Sequence, residues 1–473
     1  MPLPVPLRVL RGSSLCRCRR VSKRPPTRKS HYNHFLPLTI EKLIYGGDGL
    51  ARLPADDHGR GKAVFIPFVL PAEQIEATIT EQKPGFARAK LQTLLTPSPD
   101  RIDPRCPYFA RCGGCHYQHT TYDHQLQFKA EILKENLKRI AKLELATELQ
   151  IHPSPPWEYR NRARFQIRPE RTLGYYRFAS HEVLPIDQCP INSPLINDAL
   201  QKLHEFGRTT PPPVGVKEIE FFADAEDQNL LAELTCAPDA VSKDVQHWSE
   251  LFRTALPNII GIAAFVQRPH SAHQKDDDPD QAPRPLATVG SQELSYKTAR
   301  ATYRVTAGAF FQVNRHLIDR LVDLVTHDRS GDTAVDLYAG AGLFSLPLAS
   351  SFRHIQAVES SPISYADLAY NSPENVKAVR ATTETFLERA SRKRKPAPDL
   401  VVVDPPRSGL RDKAARLLAQ WKPRRITYVS CDPATLARDL VSLLAAGYKL
   451  EQAHLIDLFP QTYHLESVLR LVL

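Results

Sequence analysis

Arg425-Ile-Thr-Tyr-Val-Ser-Cys-Asp-Pro-Ala-Thr-Leu-Ala-Arg-Asp439 is the stretch on which the reading of the whole chain turns. Ile426, Tyr428 and Val429 are the β-branched and aromatic residues that suit a pleated, buried surface. They stop abruptly at Ser430-Cys-Asp-Pro433, and a helical pattern of Leu436, Ala437, Leu440, Leu443 and Leu444 follows. Cys431 is therefore expected at the C-terminal tip of a parallel strand, where open α/β sheets hold their ligands. A thiol beside a helix N-terminus is expected to ionise below its free value of about 8.5. The competing reading is a small buried hydrophobe, the usual fate of a lone cysteine.

The segments upstream repeat the strand-to-loop pattern. Thr333-Ala-Val-Asp-Leu-Tyr-Ala-Gly-Ala-Gly342 reads as a strand, then a turn, then a helix starting near Leu343. Gly340 and Gly342 let a ligand approach the backbone, although no third glycine completes a dinucleotide fingerprint. His354-Ile-Gln-Ala-Val-Glu359 ends in an acid placed to take the two hydroxyls of a ribose. Asp399-Leu-Val-Val-Val-Asp-Pro-Pro-Arg407 is a buried strand that the two prolines end at Asp404. Glycine turn, acid, then Asp-Pro-Pro is the order found in the sheet of an S-adenosylmethionine-dependent methyltransferase.

Ahead of this lie four cysteines in a ligand-like pattern, Cys106-x5-Cys112-Gly-Gly-Cys115 and Cys189. The two glycines let the loop fold back so that Cys112 and Cys115 face one centre. Four thiolates suit tetrahedral zinc or an iron–sulfur cluster, and spacing alone leaves both open. Cys236, in an apolar run, is read as core. Gln125–Leu145 has a helical pattern with Glu131, Lys134, Lys138 and Lys142 on its polar side. Tyr159-Arg-Asn-Arg-Ala-Arg-Phe-Gln-Ile-Arg168 reads as a strand with one basic face, suited to phosphates and stacked bases. Residues 268–288 are polar and proline-rich and read as a flexible loop.

From His34 to Thr96 five short strands, the first over Leu38–Ile44, alternate with turn residues, Tyr45-Gly-Gly-Asp-Gly49 among them, as in a small OB-like barrel. Residues 1–30 hold nine Lys/Arg and no acid, so most of the net charge of +10 belongs to a basic arm, read as disordered. Cys16 and Cys18 within it are too few and too local for a metal site. A length of 473 residues suggests two to four domains. No apolar run has the eighteen residues of a membrane span, and eight irregularly spaced cysteines do not suggest a disulfide framework.

With these residues assembled, the chain resembles the RNA uracil-5-methyltransferases, most closely the iron–sulfur members acting on 23S ribosomal RNA, over residues 36–473. The likeness rests on the cysteine set, Gly308-Ala-Phe-Phe-Gln-Val-Asn314, Asp336-Leu-Tyr-Ala-Gly-Ala-Gly342, Asp404-Pro-Pro-Arg-Ser-Gly409, Ser430-Cys-Asp-Pro433 and Pro460-Gln-Thr-Tyr-His-Leu-Glu466. Beyond the basic tail read from composition over 1–33, it implies a multidomain α/β protein: a TRAM-like β-barrel over 34–96, a central α+β iron–sulfur and RNA-binding domain over 97–288, and a Rossmann-like class I methyltransferase domain over 289–473. It further implies a [4Fe–4S] cluster on Cys106, Cys112, Cys115 and Cys189, with Cys431 as nucleophile and Glu466 as base. Gln312, Tyr338, Gly340, Gly342, Glu359 and Asp404 would line the S-adenosylmethionine and uracil site. Leu343 stands where the family often has Asn. The expected partner is RNA, 23S ribosomal RNA first with transfer RNA as the alternative, and the expected protein is a cytoplasmic monomer without a membrane anchor.

The chemistry accounts for the residue types on its own terms. Uracil C5 is a weak nucleophile until a thiolate adds to C6 and makes an enolate. The methylated adduct must then lose its C5 proton to a base before the cysteine departs. Charge developing on O4 needs a donor, for which Gln312 is suited, and a base within folded RNA must be flipped out to reach the thiol. Two other classes compete: an amino-methyltransferase using Asp404-Pro-Pro as an amine-binding loop, and a non-catalytic RNA-binding protein with a metal-stapled domain. Neither needs a nucleophile, so a covalent adduct with 5-fluorouridine RNA separates them from the uracil-5 reading.

Overall fold

The computed structural model describes residues 36–54, 61–145, 148–168, 172–266, 284–392 and 396–473. The expected basic tail with Cys16 and Cys18, and most of the proline-rich loop, lie outside the described residues. Six strands come first: Leu36–Thr39 (β1), Lys42–Leu43 (β2), Asp48–Arg52 (β3), Ala63–Pro67 (β4), Gln74–Gln82 (β5) and Phe86–Thr96 (β6). They form one sheet, ordered β1-β5-β6-β4-β3-β2, around Leu38, Val64, Ile66, Val69 and Ile75. The single strand expected over Leu38–Ile44 is broken in two because the chain changes partner there. Ile40 N donates to Glu73 O at 3.0 Å, and Glu41 N donates to Leu50 O at 2.8 Å.

Helix α1 (Tyr122–Ile140), capped by the Thr121 hydroxyl, and strand β7 (Gln150–His152) follow. Next come Arg162–Ile167 (β8), Leu173–Tyr176 (β9), Val183–Pro185 (β10), helix α2 (Pro194–Thr209), Val216–Ala223 (β11), Leu230–Cys236 (β12), helix α3 (Ser242–Ala255), Ile259–Val266 (β13) and Arg284–Gly290 (β14). These strands build a seven-stranded sheet in the order β10-β9-β8-β11-β12-β13-β14. Its core gathers Phe165, Phe221, Trp248, Phe252 and, as expected, the buried Cys236. The division expected at 288/289 falls inside β14, which pairs antiparallel with β13 and closes this sheet.

The remaining elements are Glu293–Lys297 (β15), Thr302–Thr306 (β16), α4 (Ile318–Thr326), Gly331–Leu337 (β17), α5 (Ser345–Leu348), Phe352–Glu359 (β18), α6 (Pro362–Asn371), Val376–Arg380 (β19), α7 (Thr383–Arg392), Leu400–Val403 (β20), α8 (Arg411–Trp421), Arg425–Ser430 (β21), α9 (Pro433–Ala445), Lys449–Ile456 (β22) and Glu466–Val472 (β23). The sheet order is β19-β18-β17-β20-β21-β23-β22-β7. From β19 to β21 neighbouring strands are parallel, and β23 inserts antiparallel between β21 and β22. Strand order reverses beside β17 and β20, which makes the crevice where such sheets bind ligands. Apolar clusters cover both faces, as a buried parallel sheet requires.

Two pieces from the middle of the sequence complete this sheet. β7 extends its edge beside β22, and α1 packs Ile132, Leu133 and Leu137 into the same core as Leu436 and Leu440 of α9. Lys129 of α1 is fully buried and donates to Asp457 Oδ1 at 2.6 Å and Phe459 O at 2.9 Å. No helix among the described residues is long and apolar enough to cross a membrane.

Candidate active site

Cys431 follows the last residue of β21, and Glu466 is the first residue of β23. Ser430 pairs with Ser467 in the antiparallel ladder, so the next residue on one strand and the preceding one on the other stand opposite each other: Cys431 and Glu466. The C-terminal strand thus lies beside β21 in the sheet. Asp404, after β20, lies within electrostatic reach of both groups, as does Arg407 of the same Asp-Pro-Pro-Arg turn.

The expectation of a thiol that ionises easily is corrected by this geometry. Burial, followed by the charges of Glu466, Asp404 and Asp432, pushes the Cys431 thiol up to about 12, with Arg407 opposing. The helix N-terminus does not rescue it, because Asp432 has already taken that position. Its Oδ1 accepts the Ala434 and Thr435 amides, both at 2.9 Å, and puts a carboxylate where the thiolate would have met bare N–H groups. Glu466, 4% exposed, is held well above the ordinary carboxylate range by burial and by Asp404, again opposed by Arg407. Burial raises Asp404 to about 7. The free site thus sets three groups of raised proton affinity, Cys431, Asp404 and Glu466, against one guanidinium, that of Arg407.

The Asp404–Leu410 turn is fixed from below. Asp439 Oδ2 accepts the Leu410 amide at 2.6 Å and the Tyr428 hydroxyl at 2.7 Å. A Cβ on Gly409, whose φ is +69°, would lie 2.4 Å from that same oxygen, so glycine is required there.

At the glycine turn, Tyr338, Gly340 and Gly342 all have positive φ, +63°, +56° and +99°. For tyrosine this is a strained backbone, of the kind concentrated at ligand sites. Glu359 Oε2 accepts the Gly340 amide at 2.9 Å and its Oε1 accepts the Ser361 amide at 2.7 Å, so the residue expected at the ribose also shapes the turn. Asp336 beneath is wholly buried, accepts from Ser345 Oγ at 2.5 Å, and is pushed by burial up to about 7. The helix expected near Leu343 is the short α5, beginning at Ser345. Leu343 itself is buried in the core beside it.

Gln312 is buried on the segment between β16 and α4. Asn314 Nδ2 ties that segment to Leu458 O at 3.0 Å. Glu233 Oε1 accepts the Gly308 amide at 2.9 Å, and Arg162 Nη1 donates to Ala309 O at 2.6 Å. This corrects the basic-strand reading for two of its arginines. Arg162 is ion-paired with Glu220 and Glu233 and organises the loop, and the half-exposed Arg164 is ion-paired with Glu218 and Glu220, so neither is an unpaired cation of a free basic face.

Cys106, Cys112, Cys115 and Cys189 line one cavity of about 300 Å³. Burial raises every one of these thiols, Cys112 to about 11, and each stands within electrostatic reach of others in the set. Among the described residues, no group of three or more His, Cys, Asp or Glu is gathered for a single metal ion. The loop is joined to the segment that leads into β23: the His116 and Tyr117 amides donate to Gln461 O at 2.8 and 3.0 Å. Gln125 and Gln461 exchange hydrogen bonds at 3.0 and 2.9 Å. Sequence reasoning gave no role to Arg407 or Gln461, although both lie within quoted motifs. Tyr45, whose hydroxyl donates to Cys431 O at 2.9 Å, carried no signal beyond its turn.

An α/β methyltransferase sheet with a cysteine and a carboxylate at its C-terminal edge defines the class. Residues 288–472 match the tRNA (uracil-5-)-methyltransferase family, and residues 34–91 match the TRAM domain. An uncharacterized RNA methyltransferase of Aquifex aeolicus is 34% identical over 441 residues, 92% of this chain and 97% of that one. The 23S rRNA (uracil(1939)-C(5))-methyltransferase RlmD of Shewanella sediminis is 30% identical over 465 residues, 94% of this chain and 98% of its own. The crystal structure of Pyrococcus abyssi tRNA (uracil-54, C5)-methyltransferase with S-adenosyl-L-homocysteine shares the fold, with a TM-score of 0.69 at 24% identity over 92% of this chain and all of the other. The chain belongs to the RNA (uracil-5-)-methyltransferase family and carries an N-terminal TRAM domain. It is an S-adenosylmethionine-dependent RNA uracil-5-methyltransferase.

Proposed function

We propose that the chain forms 5-methyluridine in 23S ribosomal RNA, with Cys431 as nucleophile and Glu466 as the base that removes the C5 proton. The observation that carries this is the opposition of Cys431 and Glu466 across the β21–β23 ladder. The Cys431 thiol gives up its proton to solvent, its Sγ bonds to uracil C6, and the negative charge that passes to O4 is stabilised by a hydrogen-bond donor, for which the buried Gln312 is the candidate. S-adenosylmethionine, held by Tyr338, Gly340, Gly342, Glu359 and Asp404, supplies the methyl group and a positive sulfonium that favours the ionised forms of nearby acids. Glu466 then takes the C5 proton, C5=C6 re-forms, and the sulfur leaves. Buried on a strand, this carboxyl is poised at the high proton affinity a base of this kind needs.

Ribosomal RNA is favoured over transfer RNA by likeness to the Shewanella sediminis enzyme along nearly its whole length. The tRNA (uracil-54, C5)-methyltransferase of Pyrococcus abyssi, alike in fold, keeps transfer RNA as the second reading. The four-cysteine cavity fits a [4Fe–4S] cluster by its donor set. Four thiolates also suit tetrahedral zinc, and metal analysis of the purified protein decides between the two. The central region around this cavity is accordingly read as an iron–sulfur domain. The test is methylation of transcribed 23S fragments and transfer RNA by wild type and Cys431→Ala. Turnover and 5-fluorouridine adduct should vanish in the variant while S-adenosylmethionine binding by calorimetry persists. An active Cys431→Ala protein refutes the reading.

A further inference from the structure

The barrel reaches into the active site through one side chain. Its β2–β3 turn is tight, Gly47 N donating to Ile44 O at 3.2 Å and Ile44 N to Asp48 O at 3.0 Å. The tip Tyr45-Gly46-Gly47 is pressed against the cysteine loop, since a Cβ on Gly47 (φ +91°) would lie 3.0 Å from the His116 ring. Leu43 is buried in the same core as Leu465, and Tyr45 packs against that core. The Tyr45 ring meets Tyr463 edge-on, centroids 5.5 Å apart, and Tyr463 in turn meets His116 at 4.6 Å and His464 at 4.2 Å. At the end of this aromatic chain the Tyr45 hydroxyl donates to the backbone carbonyl of Cys431 at 2.9 Å. On the outside, Lys42 pairs with Glu135 of α1 and fixes the same turn.

We propose that Tyr45 is a positioning residue for the methylation reaction, and that the TRAM barrel thereby helps build the active site as well as meeting RNA. This rests on the reading of Cys431 as nucleophile. Two constraints bracket that residue. On its N-terminal side Cys431 is fixed by the β21–β23 ladder, and on its C-terminal side by the Asp432 helix cap. The peptide between them is held by two side chains: its N–H, that of Asp432, donates to Ser430 Oγ at 3.2 Å, and its carbonyl accepts from Tyr45. Removing the Tyr45 donor leaves the carbonyl without its partner in a water-poor site and the peptide anchored on its N–H side alone, which loosens the direction of the thiol. Misdirection of a reacting atom then adds to the cost of the lost hydrogen bond.

The test is Tyr45→Phe in the full chain, which keeps the ring and its contact with Tyr463 and loses only the hydroxyl. Adduct formation with 5-fluorouridine RNA, at saturating RNA and S-adenosylmethionine, should slow on the order of tenfold. RNA affinity, KM and melting temperature should stay at wild-type values, a split that a merely structural role would not produce. Adduct formation at the wild-type rate overturns the proposal, whatever the melting temperature, and so does a defect seen only in RNA affinity. Cys431→Ala run in parallel separates the premises. If it still forms adduct, the nucleophile assignment fails. If it forms none while Tyr45→Phe reacts normally, only the role of Tyr45 falls.

Discussion

Cys431 and Glu466 stand opposite each other at the end of the β21–β23 ladder, one register step beyond the paired Ser430 and Ser467. Because they belong to different segments of one sheet, the proposed nucleophile and base can be replaced one at a time. Glu466→Gln should still add Cys431 to C6 and transfer the methyl group, then stall before elimination. A methylated RNA–protein adduct with ordinary uridine RNA, stable on denaturing electrophoresis, is the expected result. Loss of a general base costs about 10²–10⁴ in rate, so the adduct should accumulate over minutes. An inactive variant without adduct would assign the C5 proton to another group.

The environment of Cys431 makes a prediction about pH. A thiol raised to about 12 is protonated at neutrality, so alkylation of the free protein by iodoacetamide should be slow at pH 7 and still climbing at pH 10. Arg407 is the cation that lowers both Cys431 and Glu466. Arg407→Ala should therefore make alkylation at Cys431 slower at every pH. A plateau below pH 9 in the wild type would contradict this account.

If the cysteine cavity holds a [4Fe–4S] cluster, anaerobically purified protein should be brown with about four irons per chain. Cys112→Ser should lose colour and thermal stability together, since metal binding and folding are coupled. The His116 and Tyr117 bonds to Gln461 mean that the segment leading to Glu466 should loosen as well, visible as faster amide exchange at residues 458–464. Colourless protein with one zinc would decide against iron.

Lys129 and Asp457 form an ion pair with both side chains fully buried. Lys129→Met leaves the Asp457 carboxylate without its cation and should cost about 3–5 kcal/mol, read from the denaturation midpoint. The double replacement Lys129→Met, Asp457→Leu should recover most of that loss. A single variant as stable as wild type would show that water reaches the pair.

What the sequence determined by itself is local. Strand-to-loop punctuation at Asp336, Asp404 and Ser430, read with one helical period after Pro433, was enough to pick out three parallel strands of the C-terminal sheet, but not their order within it. Period and turn chemistry depend on neighbours a few residues apart, which a linear pattern records. The short stretch Leu38–Ile44 exposed the limit, because its break at Ile40 is set by hydrogen bonds to Glu73 and Leu50. Arg162 and Arg164 looked like a free basic face until the glutamates of β11 and β12 were brought beside them. Proton affinity was decided in the same way. The helix N-terminus after Cys431 was visible in the sequence, but the burial and the converging carboxylates of Glu466 and Asp404 were not. Desolvation and charge proximity arise only when distant segments share a low-dielectric interior, so tertiary structure alone fixed the chemistry of the thiol. The same holds for the reach of Tyr45 to a carbonyl 386 residues away.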